Sequence, residues 1–354
     1  MKWEANVRKV TPYVPGEQPK CTQMIKLNTN ECPYPPSPGV AEAIAGISTE
    51  ELRLYPDPEV GELRQALAEY YGVTKEQVFV GVGSDDVLAT AFLTFFHSDR
   101  PLLFPDITYS FYEVWAELFG IPYERVPLKE DFHICAGDYK RENGGIIFPN
   151  PNAPTGMEES RELIEDIVGS NRDVVVIVDE AYVDFGADSV LSLTEKYDNL
   201  LVVQTFSKSR AMAGMRIGFA IGHPKLISYL NDVKFSFNSY TMNRTAIAAG
   251  VAALKDETYF RNTLERIIET RERTKAELKK LGFLFPDSKS NFIFATHPRL
   301  SAKSLYQACR ERNIYLRYFD KPGIRDYLRI SIGKEEEMHI FLDFLKHYIE
   351  QERG

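Results

Sequence analysis

An aspartate directly beyond one apolar run and a lysine shortly beyond another are the strongest candidates for chemistry in this chain. Lys208 follows Leu200–Gln204, and Asp179 follows Val174–Val178. A lone lysine is usually a solvated surface residue, because lysine is rarely buried without a partner. A carboxylate at the end of a buried strand carries a large desolvation cost unless it is paired. Asp179 is therefore expected either to cap a helix or turn or to face a buried positive charge.

Such a lysine and acid together suit the chemistry of pyridoxal phosphate. This cofactor needs an amine that forms an imine with its aldehyde, an acid beside its ring nitrogen, donors to its ring oxygen and a phosphate site. Asn152, which follows the apolar run Ile146–Phe148, and Tyr182 are the candidate donors to the ring oxygen. The sequence thus predicts a pyridoxal 5′-phosphate site around Lys208.

A glycine turn at Gly81–Asp86 offers a place for the cofactor phosphate. It passes from an apolar run into a helical pattern, so the backbone N–H groups of the turn can hold an anion. Ser207 and Arg216 add a hydroxyl and a guanidinium from either side of the lysine. A nucleotide site is an alternative, but the turn lacks the third glycine of a dinucleotide fingerprint.

Composition excludes several other classes of protein. The 354 residues are 44% hydrophobic and 26% charged, which predicts a globular chain with a large and a smaller domain. A net charge of −9 without a basic block argues against nucleic acid and anionic membrane partners. No apolar stretch predicts a signal peptide or membrane span, so a reducing cytoplasm is expected. Neither disulfides nor a metal site is expected from the histidines or from the scattered cysteines Cys21, Cys32, Cys135 and Cys309.

The elements that must position these residues follow from the hydrophobic pattern. Short apolar runs without alternation, separated by helical patterns, predict an α/β domain with a mostly parallel sheet. A helical pattern from Thr241 to about Leu281 predicts one long helix that bridges two lobes. The residues after it predict a small α+β domain. The expected division is 1–40 as an N-terminal arm and part of the small domain, 41–281 as the large domain and 282–354 as the small C-terminal domain.

Several motifs, in their order along the chain, resemble those of fold-type I pyridoxal-phosphate-dependent aminotransferases, whose large domain has a mostly parallel seven-stranded sheet. Within them the chain most resembles the histidinol-phosphate aminotransferase family. The resemblance covers nearly the whole chain. The sequence departs from the family pattern at Cys32 and Ala153, and these departures leave the preference among related substrates open. The motifs are Pro12–Gly16, Leu27–Glu31, Tyr55–Pro58, Gly83–Asp85, Asn152–Gly156, Asp179–Tyr182, Ser207–Lys208, Ala213–Gly218 and Tyr327–Gly333.

The resemblance implies roles for the cofactor residues. Lys208 would bind the cofactor covalently and move the proton, and Asp179 would pair with the ring nitrogen. Tyr109, which is expected to begin a helix, would stack on the ring, although simple core packing is the alternative. Asn152 and Tyr182 keep the roles given above. The phosphate contacts would be Ser84, Asp85 through its backbone, Ser207, Arg216 and, from the neighbouring subunit of a homodimer, Tyr55.

The resemblance also implies a substrate. Arg329 would bind the anionic group of each substrate in turn, and a surface salt bridge is its alternative explanation. Arg317, Tyr13 and Asn30 are further candidates for substrate contacts. The implied reaction is transamination of L-histidinol phosphate with 2-oxoglutarate, in histidine biosynthesis. An aromatic amino-acid aminotransferase, a threonine-phosphate decarboxylase-like enzyme and an effector-binding module without chemistry remain alternatives.

Overall fold

A seven-stranded sheet lies at the centre of the larger part of the molecule. The structure is a computed structural model that describes residues 2–20 and 23–351, so Cys21 lies outside the described residues. The strands in the described part are β1 (Ile25–Lys26), β2 (Val78–Gly81), β3 (Leu102–Pro105), β4 (Tyr123–Val126), β5 (Gly145–Pro149), β6 (Val176–Asp179), β7 (Leu200–Thr205), β8 (Gly218–Gly222), β9 (Phe292–Thr296), β10 (Ile314–Tyr315), β11 (Arg317–Tyr318) and β12 (Tyr327–Ser331).

The large sheet has the strand order β2-β8-β7-β6-β5-β3-β4. Its neighbouring pairs are parallel except for the two that involve β8, which runs antiparallel to both β2 and β7. Strands β5, β6 and β7 are buried at every position, which explains why their sequences are apolar without alternation. The predicted α/β fold with a mostly parallel seven-stranded sheet is confirmed.

Helices cover both faces of this sheet. The helices in the described part are α1 (Pro38–Ala45), α2 (Gly61–Tyr71), α3 (Ser84–Phe95), α4 (Phe111–Phe119), α5 (Arg161–Ser170), α6 (Pro224–Phe237), α7 (Arg244–Lys255), α8 (Glu257–Lys280), α9 (Ala302–Glu311) and α10 (Glu335–Gln351). Helices α3, α4 and α6 pack on one face, with Ile177 among the strand residues beneath them. On the other face, α5 packs over Val176 and Val178, and α2 and α7 pack over Val78 and Val80.

The C-terminal part has its own sheet and core. Strands β11, β12 and β9 form an antiparallel sheet, and α8, α9 and α10 contribute to the same hydrophobic cluster. Strand β1 pairs in parallel with β10, and Leu27 is fully buried in this cluster. Residues near the N-terminus therefore pack on the C-terminal part.

Some predicted elements differ from the observed ones. The helical pattern after Thr241 is two helices, because Asp256 ends α7 and caps α8 by accepting a hydrogen bond from the Tyr259 backbone nitrogen. Tyr109 lies in the turn before α4, so the expectation that it begins that helix is wrong. The arm expected over residues 1–40 already includes the start of α1 at Pro38.

The sequence predicts neither a membrane span nor a metal site, and the described residues bear on both expectations. Over 2–20 and 23–351, no helix combines the length and apolar character that crossing a membrane requires. Within the same ranges, no group of three or more His, Cys, Asp or Glu side chains is arranged to hold a metal ion.

Candidate active site

The predicted chemical residues converge at one edge of the large sheet. Asp179 is the last residue of β6, Lys208 follows β7 by three residues, and Asn152 follows β5 by three residues. These strands are adjacent and parallel, so their carboxyl ends lie side by side. In open α/β sheets this edge is where ligands bind.

Lys208 lines a cavity of about 150 Å³ between this edge and the C-terminal part. Its Nζ donates a hydrogen bond to the Thr29 carbonyl oxygen at 3.1 Å and lies 5.8 Å from the centre of the Tyr182 ring. Arg317 and Arg329 line the same cavity, and none of the lining residues is acidic. Among the described residues, the cavity lining therefore presents three cationic side chains and no carboxylate, which suits anionic substrates.

Asp179 is a buried carboxyl group with only 5% of its surface exposed. Its Oδ2 accepts a hydrogen bond from the Tyr112 hydroxyl at 2.9 Å, and its Oδ1 accepts one from the Ala181 backbone nitrogen at 3.2 Å. Burial raises the pKa of Asp179 to about 6, although both hydrogen bonds oppose that shift. No cationic side chain of the described residues pairs with it, so it can serve a cation supplied by a ligand.

An anion cradle lies at the N-terminus of α3. Gly83 precedes the helix with φ of 82°, and a Cβ atom there would lie 2.4 Å from Nη2 of Arg216. A Cβ atom on Gly218 would lie 2.2 Å from the Ser84 backbone nitrogen. Both positions must be glycine for the backbone and the guanidinium to approach so closely.

The four predicted phosphate contacts on this chain meet at the cradle. Nη1 of Arg216 donates to the Ser207 hydroxyl at 3.3 Å, and its Nη2 lies 3.3 Å from Oδ2 of Asp85. Ser84 and Asp85 form the first turn of α3, where backbone N–H groups have no partner within the helix. Hydroxyl, guanidinium and free N–H groups together are a typical phosphate site.

Tyr109 closes one side of the site. Its hydroxyl donates to Oδ1 of Asp85 at 2.9 Å, and its ring meets the Tyr112 ring edge-to-face at 5.7 Å. Tyr13, from the N-terminal segment, stacks on Phe111 at 4.1 Å and lines the same cavity as Lys208. The structure thus brings Tyr13 and Tyr109 together at the cavity.

The two predicted donors to the ring oxygen, Tyr182 and Asn152, differ in whether they have a hydrogen free to donate. The Tyr182 hydroxyl accepts a hydrogen bond from Nδ2 of Asn30 at 2.9 Å, which leaves its own hydrogen free. Asn152 donates from Nδ2 to the Ile107 carbonyl at 2.9 Å and to the Thr155 hydroxyl at 3.1 Å, so both amide hydrogens are in use. The Oδ1 of Asn152 is buried without a partner. A buried unpartnered oxygen marks a place where a further polar group is needed.

Arg329 and Arg317 are cross-strand neighbours on β12 and β11. Nη2 of Arg329 donates to the Asn28 carbonyl oxygen at 2.9 Å, and its Nε is buried without a partner. Arg317 donates to the Val14 carbonyl oxygen at 3.4 Å. No acidic side chain of the described part forms an ion pair with either guanidinium, so a salt bridge does not account for Arg329.

Asn30 and Tyr55 do not line this cavity. Asn30 is 1% exposed and lies behind Tyr182, with its side chain bonded to Tyr182 and Ser331. These bonds join Asn30 to other protein side chains and do not present it to a substrate in this cavity. Tyr55 is 79% exposed, with its ring 4.6 Å from that of Tyr240 on the surface.

Sequence reasoning missed three groups that hold the site together. Tyr112 supports Asp179, Ser331 holds Asn30, and the carbonyls of Asn28 and Thr29 bind Arg329 and Lys208. For Tyr112 a signal existed, because a tyrosine hydroxyl in an apolar helix pattern needs a buried partner. The backbone carbonyls have no sequence signal at all.

This fold and site define an aminotransferase. The chain belongs to the aminotransferase class I and II family, whose family model matches residues 22–345. It is 51% identical over 349 residues to the histidinol-phosphate aminotransferase of Lactococcus lactis subsp. cremoris strain MG1363, covering 99% of this chain and 98% of that one. It is 54% identical over 335 residues to histidinol-phosphate aminotransferase 1 of Hydrogenovibrio crunogenus, covering 95% and 94%.

Solved structures share the fold. The crystal structure of the histidinol-phosphate aminotransferase from Clostridium acetobutylicum has a TM-score of 0.86 and 23% identity, covering 93% of this chain and 100% of that one. The enzyme from Sinorhizobium meliloti, solved in complex with pyridoxal-5′-phosphate, has a TM-score of 0.85 and 22% identity, covering 93% and 91%. At these identities the comparison supports the fold alone.

Proposed function

We propose that this chain is a pyridoxal-phosphate-dependent aminotransferase that transfers the amino group of L-histidinol phosphate to 2-oxoglutarate. The products are imidazole acetol phosphate and L-glutamate, and the step belongs to histidine biosynthesis. The observation that carries the proposal is the cavity in which Lys208, Arg317 and Arg329 meet without an acidic lining residue. The names of relatives about half identical to this chain support the choice of substrate.

The residues present fit pyridoxal phosphate. The α3 cradle suits its phosphate, with Ser84, Asp85, Ser207 and Arg216 as contacts. Asp179, which has no cationic partner among the described residues, suits a protonated ring nitrogen. Lys208 suits the aldehyde, and the bound cofactor withdraws electrons from the substrate carbon that carries the amino group. These assignments are proposals that rest on the contacts described above.

Each remaining group has a defined task at the site. Nζ of Lys208 takes the proton from the substrate carbon and returns one later in the cycle, because no other amine lines the cavity within the part of the chain that the structure describes. Tyr182 donates its free hydrogen to the ring oxygen. Asn152 donates a second hydrogen bond to the ring oxygen once its longer hydrogen bond, to the Thr155 hydroxyl, is broken. Tyr109 covers the ring face while its hydroxyl stays bonded to Asp85.

Arg329 serves both substrates. Its planar guanidinium can hold a carboxylate of glutamate or 2-oxoglutarate and the phosphate of histidinol phosphate in turn. Arg317 stands beside it on the neighbouring strand, and Tyr13 lines the same cavity. Two adjacent guanidinium groups suit a substrate with a doubly charged phosphate. Asn30 acts behind Tyr182 rather than on the substrate.

We also propose a homodimer in the cytoplasm. Tyr55 is one of several exposed large apolar residues on this chain, together with Leu52, Leu54, Phe237 and Tyr240, and such residues mark interaction surfaces. From there Tyr55 would reach the cofactor phosphate of the neighbouring subunit. Cys32, Cys135 and Cys309 are free, which supports a reducing compartment. The division into an N-terminal arm, a large domain and a small domain remains part of this proposal.

The test is a comparison of amino donors. The purified protein is loaded with pyridoxal phosphate and mixed with 2-oxoglutarate and, separately, histidinol phosphate, phenylalanine, tyrosine or threonine phosphate. Glutamate formation that is fastest with histidinol phosphate is the expected result. Faster glutamate formation with phenylalanine or tyrosine would make the chain an aromatic aminotransferase, and carbon dioxide release from threonine phosphate would make it a decarboxylase. Either result overturns the proposed substrate.

A further inference from the structure

The hydroxyl group of Tyr182 is held in one direction by a residue from the N-terminal segment. Nδ2 of Asn30 donates a hydrogen bond to this hydroxyl at 2.9 Å. A hydroxyl has one hydrogen and accepts through its lone pairs. Because the side of the oxygen that faces Asn30 accepts, the hydrogen of Tyr182 is directed away from Asn30.

The orientation of the Asn30 amide is itself fixed. The Ser331 hydroxyl donates to Oδ1 of Asn30 at 2.9 Å, while the Asn30 backbone nitrogen donates to the same hydroxyl at 2.9 Å. Exchanging the two ends of the amide would leave the single Ser331 hydrogen facing an NH₂ group. It would also present an acceptor to Tyr182 and so draw the Tyr182 hydrogen toward Asn30. The network therefore selects the amide end that faces Tyr182.

The backbone of Asn30 is held as firmly as its side chain. Its carbonyl oxygen accepts a hydrogen bond from Nδ2 of Asn291 at 2.9 Å. Its φ of 56° lies in the left-handed region, where asparagine and glycine are the residues best tolerated. Asn30 is thus buried, hydrogen-bonded at both ends of its amide and held in an uncommon backbone conformation. Such a residue is suited to orienting a neighbouring side chain rather than to contacting a mobile substrate.

We propose that Asn30, oriented by Ser331, is a positioning residue that keeps the Tyr182 hydroxyl a hydrogen-bond donor toward the ring oxygen of the bound cofactor. This inference rests on the proposed function, because it assumes that Tyr182 faces pyridoxal phosphate. It changes the role expected for Asn30 from a substrate contact to a residue that acts through Tyr182.

The test measures the binding of pyridoxamine 5′-phosphate to the cofactor-free protein. This compound has an amine in place of the aldehyde, so it binds without a covalent bond to Lys208 and its affinity reports the polar contacts. Asn30→Asp keeps the side-chain shape but replaces the donor by a carboxylate oxygen, which captures the Tyr182 hydrogen. Asn30→Gly suits the left-handed backbone and removes the amide, which frees the Tyr182 hydroxyl to turn toward the ring oxygen.

The expected order of affinities distinguishes positioning from simple packing. Asn30→Asp is expected to weaken binding about tenfold, as Tyr182→Phe does, and Asn30→Gly by only about two- to threefold. A purely structural role predicts the reverse order, because the isosteric variant would disturb the packing less. That reverse order would overturn the inference.

A double variant separates the hydrogen bond from the added charge. In the Tyr182→Phe background, Asn30→Asp is expected to cause little further loss of affinity, because its effect passes through the missing hydroxyl. A full tenfold loss in that background would mean that the carboxylate acts directly on the ligand, and the inference would be wrong. Ser331→Thr keeps the orienting hydroxyl and is expected to bind as the wild type does, whereas Ser331→Ala is expected to bind more weakly.

Asn199 offers a matched control at the other end of β7. It is 7% exposed, and its Nδ2 donates to the Asn171 carbonyl at 2.9 Å and the Val174 carbonyl at 3.1 Å, far along the strand from Lys208. Asn199→Asp is expected to lower stability and leave the affinity of the folded protein unchanged. Wild-type protein that does not bind pyridoxamine 5′-phosphate would overturn the proposed function, whereas normal binding with unaltered affinity in Asn30→Asp would overturn this inference alone.

Discussion

The hydroxyl of Tyr112 lies 2.9 Å from Oδ2 of Asp179 and donates a hydrogen bond to it from the buried face of α4. Tyr112 is fully buried among Phe92, Phe104 and Trp115, so its ring cannot turn away from the carboxylate. The bond counteracts the burial that raises the pKa of Asp179 to about 6. Tyr112 therefore helps to keep Asp179 ionised, which its proposed pairing with the cofactor ring nitrogen requires.

Tyr112→Phe is expected to lower kcat about tenfold with little change in KM, because loss of the hydrogen bond raises the pKa of Asp179 further. Steady-state kinetics from pH 6 to pH 9 measure this effect. Tyr139→Phe is the control, since the Tyr139 hydroxyl is also buried but has no hydrogen-bond partner among the described residues. Equal losses of kcat in both variants would show that removing any buried hydroxyl has this effect.

Asp179→Asn is expected to stabilise the cofactor-free protein at pH 7 by about 1 to 3 kcal/mol while it abolishes activity. The pKa of Asp179 is about 6 in the fold against 3.8 for an unperturbed aspartate, so the folded state binds the extra proton between these values. Stability is therefore lost as the pH rises from about 4 to about 6 and stays lower above that range. Urea unfolding at pH 4 and pH 7 measures the difference, and exposed Asp198→Asn should show none.

Lys208→Ala is expected to reduce turnover by at least about 1,000-fold without unfolding the protein. Among the described residues, its Nζ donates a hydrogen bond only to the Thr29 carbonyl oxygen, so the free energy of unfolding should change by about 1 kcal/mol or less. Borohydride reduction followed by peptide mapping should find a pyridoxyl group on the peptide containing Lys208 in the wild type and none in the variant. Exposed Lys225→Ala serves as the control, and an active Lys208→Ala protein would eliminate the mechanism.

Arg329→Lys is expected to raise KM about tenfold or more for both glutamate and histidinol phosphate. Lysine keeps the charge but loses the planar pair of donors that can grip a carboxylate or a phosphate. Half-reactions with each substrate measured separately provide the test. A loss confined to one substrate would mean that Arg317, its neighbour on β11, binds the other anion.

Mixed dimers test the role of Tyr55. Lys208→Ala and Tyr55→Ala chains are each expected to be weakly active alone. If Tyr55 serves the partner's site, the mixed dimer contains one complete site, formed by Lys208 of one chain and Tyr55 of the other. Co-expression with two different affinity tags should then recover up to about half of the wild-type activity per dimer. No recovery would assign Tyr55 to the site of its own chain or to none.

Much of the sheet could be predicted because its central strands are buried on both faces. Unbroken apolar runs such as Val174–Val178 indicate this burial directly. Edge strand β4 was missed, since Glu124 and Arg125 are exposed within it and resemble a loop. The break between α7 and α8 was missed as well, because both helices continue the same apolar spacing on either side of Asp256.

The candidate site was predictable only where a residue type implies chemistry. Lys208, Asp179 and Arg216 were identified because a cation or an acid at a strand end needs an explanation. The bond from Asn30 to Tyr182 spans 152 positions in the sequence, and no local pattern encodes which end of the amide faces the hydroxyl. Such pairings depend on how the two parts of the molecule pack.

Three consecutive residues, Asn28 to Asn30, contact Arg329, Lys208 and Tyr182 across 301, 179 and 152 positions of sequence. During synthesis the tripeptide leaves the ribosome before Tyr182 and Lys208, and Arg329 leaves well after both. A nascent chain released before β12 would retain the α3 cradle but would lack Arg329, the residue proposed to bind the substrate anion. Assembly of this centre therefore has to wait until β12 has been synthesised, since contacts so distant in sequence form late in folding.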